Sequence, residues 1–134
     1  MAAQSSHASP ILVTGAAGAV GSIGRNVTEM LLAKGYKVRA LVRREDERAA
    51  ALRQLGSEVM QGDLTDLTAM HRAIEGCARV YFGMSVSAEY LTATVNTAAV
   101  ARHHGVEVFV NMSLAADLAT AESALVRAGK SRAG

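Results

Sequence analysis

Ile11-Leu12-Val13-Thr14-Gly15-Ala16-Ala17-Gly18-Ala19-Val20-Gly21-Ser22-Ile23-Gly24 opens with a short apolar run that a glycine stops. A strand buried on both faces reads this way. The glycines then recur every third residue, at 15, 18, 21 and 24. Beyond them, Asn26 to Lys34 carries Val27, Met30 and Leu31 at helical spacing, and Gly35 ends that segment. The order is therefore strand, glycine-rich turn, helix. Glycine lets the backbone turn tightly and lets a ligand approach its N–H groups with no Cβ in the way. N–H groups at a helix start, with the helix dipole behind them, suit an anion such as a diphosphate. Two registers fit: Gly15, Gly18 and Gly21, or Gly18, Gly21 and Gly24. The first starts directly at the strand end and is preferred; Gly24 then permits close packing of helix on strand. A glycine-rich turn with no ligand is the rival reading.

Working outward, Lys37 to Val42 reads as a second strand. Glu45 to Leu55 reads as a charged helix with Ala49, Leu52 and Leu55 inward, closed by Gly56. Glu58 to Gln61 is a third strand. Thr65-Asp66 resembles a helix start, with Leu67, Met70 and Ile74 as the apolar stripe and Gly76 as the stop. Arg79 to Met84 is a fourth strand. Tyr90 to His104 is a helix with Leu91, Val95, Ala98 and Ala99 inward, stopped by Gly105. Val106 to Val110 is the fifth strand. Strand–helix alternation implies parallel strands joined by right-handed helical crossovers. The expected fold is α/β: a doubly wound five-stranded parallel sheet with helices on both faces, and with ligands at the carboxyl ends of its strands. Residues 1–9 read as a disordered lead-in and residues 10–113 as the domain. Residues 114–134, rich in Ala, read as a helical or frayed tail.

Three loops at the strand ends carry further chemistry. The glycine turn supplies Gly15, Ala17, Gly18, Ala19, Val20 and Gly21 as the candidate cradle. The second strand ends in Arg43-Arg44, where dinucleotide folds that use NAD place an acidic residue for the ribose hydroxyl. A guanidinium there pairs well with a 2′-phosphate, so NADP(H) is favoured over NAD(H). Glu45 and Asp46 follow at once and could soften that preference; solvated arginines are the bland alternative. Asp63 and Leu64, after the third strand, could meet the adenine, although an Asp before a helix is also an ordinary cap. Met84 and Ser85, after the fourth, would lie under the ribose and nicotinamide. Ser113, after the fifth, is the one candidate catalytic hydroxyl by position, or else a turn or cap residue.

Composition narrows the remaining classes. The chain has 134 residues and a formal net charge of +2, too little for a general nucleic-acid binder. Eight of the 14 basic residues lie between Arg25 and Arg53, against four acidic ones, close to the glycine turn. Cys77 is the sole cysteine, which fits a reducing compartment and a small buried side chain. No signal peptide or membrane span is read, and a cytoplasmic protein is the default expectation. No His, Cys or carboxylate spacing suggests a metal; His103-His104 at a helix end is explained by the helix dipole.

Val13-Thr-Gly-Ala-Ala-Gly18, the Arg43 ending, Gly62-Asp63-Leu64 and Phe109-Val-Asn-Met-Ser113 together resemble the NmrA-like group of atypical short-chain dehydrogenases/reductases, over residues 11–113. The resemblance implies a Rossmann domain binding NADP(H) through the loop, Arg43 and Asp63-Leu64. It implies one of two outcomes: an NAD(P)H-dependent reductase, quinone reductases included, or a non-catalytic redox-sensing dinucleotide binder. Two departures stand out. Short-chain dehydrogenases typically carry Tyr-x-x-x-Lys, and none of Tyr36, Tyr81 and Tyr90 has Lys four residues later. The stretch after Ser113 does not resemble the family's substrate-binding continuation, and it reads as a truncated or frame-altered end, which adds an inactive fragment of a reductase to the alternatives. The expected partners are the dinucleotide, a small-molecule acceptor and a second copy of the chain, which would cover exposed apolar surface.

Overall fold

Four consecutive residues with almost no solvent contact, Ile11–Thr14, form the central strand β1 of the computed structural model, which describes residues 8–18, 22–85 and 87–112. The other strands are β2 (Val38–Val42), β3 (Glu58–Gln61), β4 (Arg79–Phe82) and β5 (Val108–Asn111). All pair in parallel, in the order β3-β2-β1-β4-β5. The helices are α1 (Ile23–Ala33), α2 (Glu47–Gln54), α3 (Leu67–Ile74) and α4 (Tyr90–His103). This is the doubly wound α/β sheet that the alternation predicts. Its order reverses at β1, between β2 and β4, and a crevice opens at such a point in an open parallel sheet.

Alternate residues of the strands feed two cores. Ile11, Val13, Val38, Ala40 and Val42 pack with Ala49 and Leu52 of α2 and with Val27 and Leu31 of α1. On the other face, Leu12, Leu41 and Val80 pack with Met70, Ala73 and Ile74 of α3 and with Val100 and Ala101 of α4. Cys77 belongs to this second core, where burial pushes its thiol up. Asp46 and Asp66 cap α2 and α3, their side chains accepting from the backbone N–H groups two and three residues on. Each helix is followed by a glycine of positive φ, as Gly35 at +86° and Gly76 at +82°.

Several sequence expectations need correcting. Helix α1 begins at Ile23, not Asn26, because Ser22 takes the extended N-cap conformation and Gly24 is accepted in the first turn. Met30, 61 % exposed, lies outside the α1 core face, and Leu55 is an exposed C-cap of α2. Leu67, 51 % exposed, sits at the start of α3, ahead of the turn that meets the sheet. Helix α4 is rotated from its expected face. Leu91 (72 % exposed), Val95 (57 %), Ala98 and Ala99 point outward, while Ala93, Thr97, Val100 and Ala101 are buried. Thr97 can be buried because its hydroxyl donates to the Ala93 carbonyl at 2.7 Å. Small residues let this helix lie close to the sheet. Residues 1–7 of the expected lead-in, and the expected tail with Ser113 before it, lie outside the described residues. Among the described residues, no helix is long and apolar enough to cross a membrane.

Candidate functional site

A cleft of about 570 Å³ opens over the carboxyl ends of β1, β2 and β4, and the volume suits a small-molecule or cofactor ligand. Its floor is the glycine turn. Gly15 leaves β1 with φ of +75°, and a Cβ there would stand 2.7 Å from the Gly83 carbonyl oxygen. Only glycine brings the two strand exits this close. Thr14 fixes the same junction: its hydroxyl donates to the Gly83 carbonyl at 2.7 Å and accepts from the Gly83 N–H at 2.9 Å. Gly24, in the first turn of α1, would place a Cβ 2.5 Å from the Gly15 carbonyl oxygen. The α1 N-terminus is thereby seated against the turn, and Ser22, Ile23 and Gly24 at that end line the cleft; the first N–H groups of a helix have no intrahelical partner. Among the described residues, the N-cap residue Ser22 makes no side-chain cap bond, and its buried hydroxyl oxygen has no hydrogen-bond partner. An orphan hydroxyl at a helix N-terminus suits the diphosphate of a dinucleotide.

The charged wall sorts the basic cluster of residues 25–53. Arg25 pairs with Glu29, and Arg39 pairs with Glu58 and donates to the Ala73 and Glu75 carbonyls. Arg53 binds Glu45 through two contacts, at 2.8 and 2.6 Å. That ion pair holds the Glu45 carboxyl below the usual carboxylate range. Asp46 caps α2 through one oxygen. Neither Glu45 nor Asp46 lines the cleft, whereas Arg43 and Arg48 do. Arg48 also donates to the Ala17 carbonyl at 3.3 Å, so it reaches from α2 across to the glycine turn. Asp63 accepts from the Thr65 hydroxyl and N–H at 2.7 and 2.8 Å through one oxygen. These bonds, with a smaller contribution from Arg43, hold its carboxyl below the usual range. Its second oxygen takes part in neither bond. The actual cap of α3 is Asp66.

Of the residues singled out in the sequence, Gly15, Ala17, Gly18, Arg43, Asp63, Leu64, Met84 and Ser85 line the cleft. Arg44 is exposed and does not line it. Ala19, Val20, Gly21 and Ser113 fall outside the described residues. The sequence reading missed Ser22, Arg48 and Tyr81, all of which line the cleft, whereas Met112, expected on the substrate side after the fifth strand, lines it too. Ser22 was readable as an N-cap type; Arg48 was not, because its role depends on how α2 lies against the turn. Burial pushes the Tyr81 hydroxyl up, away from the acidity that a proton donor needs.

Residues 18–128 match a family model described as NAD(P)H-binding. Over 64 residues the chain is 45 % identical to "Sterol demethylase protein B" of Methylococcus capsulatus, covering 48 % of this chain and 19 % of that protein. The fold is similar to that of an NADPH-dependent quinone oxidoreductase of Escherichia coli, complexed with NADPH. The TM-score is 0.65 with 26 % identity, over 78 % of this chain and 36 % of that one. It is also similar to a short-chain dehydrogenase/reductase superfamily protein of Agrobacterium tumefaciens with bound NAD. There the TM-score is 0.61 with 30 % identity, over 75 % of this chain and 31 % of that one. The chain thus spans a fifth of the curated relative's length and about a third of each of these structures.

Proposed function

Because the chain belongs to the NAD(P)H-binding family, we propose that the cleft over β1, β2 and β4 takes NADP(H) in preference to NAD(H). Similar structures hold either dinucleotide, so the preference has to come from this chain's own residues. One observation carries it. Arg43 and Arg48 line the cleft at the end of β2, while Glu45 and Asp46, the nearby carboxylates, are bound elsewhere. Two guanidinium groups favour a 2′-phosphate, and the acidic partner of a bare ribose is missing there. In this reading the diphosphate lies on the glycine turn and Ser22, the adenine meets Asp63 and Leu64, and the nicotinamide lies by Met84 and Ser85.

NADPH would supply the hydride. The chain's residues would bind it, orient it and hold a small acceptor of quinone type beside Met84 and Met112. A non-catalytic redox-sensing role is the second reading. Tyr81 favours it: this cleft hydroxyl is made less acidic by burial and has no lysine four residues on. For a second copy of the chain, the surface on offer is β5, one of the two outer strands among the described residues, where Val108 and Val110 are exposed. The single buried thiol suits a reducing cytoplasm.

Calorimetric titration with NADPH and NADH tests the preference. A charge-assisted hydrogen bond contributes about 1.5–3 kcal/mol, so NADPH is expected to bind about tenfold to a hundredfold more tightly. Arg43→Ala should remove most of that difference and leave NADH binding unchanged. Equal affinity of the unaltered chain for both dinucleotides contradicts the assignment. NADPH oxidation with a panel of quinones then separates reductase from sensor.

A further inference from the structure

The histidines read from the sequence as a helix-end pair have a third neighbour. Helices α3 and α4 both run back from the cleft end of the sheet, and their C-terminal turns meet at the opposite end, where the strands begin. There His71 of α3 meets His103 and His104 at the end of α4. The three rings form a nearly equilateral triangle, with centres 5.2, 5.1 and 5.1 Å apart. Their planes are turned by 89°, 65° and 85° to one another. One nitrogen from each ring lies within 4.8 Å of the others, and His71 Nδ1 is 2.9 Å from His104 Nε2.

We propose that His71, His103 and His104 form a binding site for a divalent transition-metal ion of the zinc class, at the end of the sheet opposite the dinucleotide cleft. The spacing carries the proposal. Zinc bonds imidazole nitrogen at about 2.0–2.1 Å in a tetrahedral array, which sets neighbouring ring centres about 5.2 Å apart and their nitrogens about 3.4 Å apart. The ring centres already stand at that separation. Small ring rotations bring the nitrogens to it, replacing the His71–His104 hydrogen bond with bonds to the metal. Imidazole suits zinc, and its relatives nickel and copper, better than calcium or magnesium. Two helix C-termini converge on the cluster, and their dipoles favour a cation. His103 is exposed and His71 and His104 are half-buried, so an ion can enter and water can take the fourth position. The bound ion would tie α3 to α4.

The test uses the untagged full chain after treatment with a chelator. Zinc is added by calorimetry, and cobalt(II) is added as a spectroscopic probe. The expected result is one ion per chain, the strong visible absorption of tetrahedral cobalt, and a zinc-dependent rise in melting temperature. His103→Asn alters an exposed side chain and keeps the fold testable; it should weaken binding at least about tenfold, as should His71→Asn. His7→Asn, the control at the remaining histidine, should leave binding unchanged. NADPH affinity should not respond to any of the three. If His103→Asn binds zinc as the unaltered chain does, or cobalt gives only the weak octahedral spectrum, the three rings are packed against one another and the site is refuted.

Discussion

Thr14 does two things in one position: it completes the buried central strand and it ties the glycine turn to the exit of β4. Replacing it with valine keeps the shape and removes both bonds to Gly83. That leaves the Gly83 N–H and carbonyl unpaired in a buried place, and should cost about 1–3 kcal/mol in urea unfolding. Asp63 offers a second test. Its carboxyl is held below the usual range chiefly by Thr65, so Thr65→Ala should raise its titration midpoint, as followed by carboxyl NMR. The sign follows from linkage. A depressed folded value contributes stability above the ordinary carboxylate pKa, and loses it as the pH falls through the lowered folded value. Strand residues such as Thr14 were legible because a run buried on both faces has no other reading. Asp63 was legible only as an alternative between cap and ligand. Its Thr65 bonds explain why the acid sits there without a ligand and still leave one oxygen free.

Helix and strand order was readable from the sequence because the glycine stops and the apolar periods agree at each step. Helix faces were less readable. In α4, Leu91-Val95-Ala98 and Ala93-Thr97-Val100 both have helical spacing, and hydropathy favours the first. The structure buries the second, because small side chains permit close approach to the sheet and Thr97 satisfies its own hydroxyl. Helix α3 gives a direct check on the same lesson. Leu67 and Ile74 share one expected stripe, yet Leu67 is exposed and Ile74 is fully buried. Ile74→Ala should cost about 2–5 kcal/mol. Leu67→Ala should fall within about 0.5 kcal/mol of the unaltered chain in the same denaturation experiment. Comparable losses at both positions would contradict the observed orientation of α3.

At the scale of the whole molecule, the sheet order decides the site. Reversal at β1 brings the ends of β1, β2 and β4 to one crevice, and their loops carry the glycine turn, Arg43 and Met84. This much followed from the alternation. Contacts between distant segments did not: Arg48 reaching Ala17, and His71 meeting His104, join residues 31 and 33 apart in the chain. The basic excess of residues 25–53 was visible as a count. Only the fold shows that three of its arginines are tied to carboxylates and two line the cleft. The central claim is that the glycine turn and the α1 N-terminus hold the diphosphate. Gly18→Asp tests it most directly, since its Cβ would stand 2.7 Å from the Ser22 hydroxyl and its carboxylate would enter the anion's place. With circular dichroism unchanged, calorimetry should show NADPH affinity reduced by roughly a hundredfold or more, the loss of about 3 kcal/mol. A folded Gly18→Asp chain that binds NADPH as tightly as the unaltered one would contradict the account.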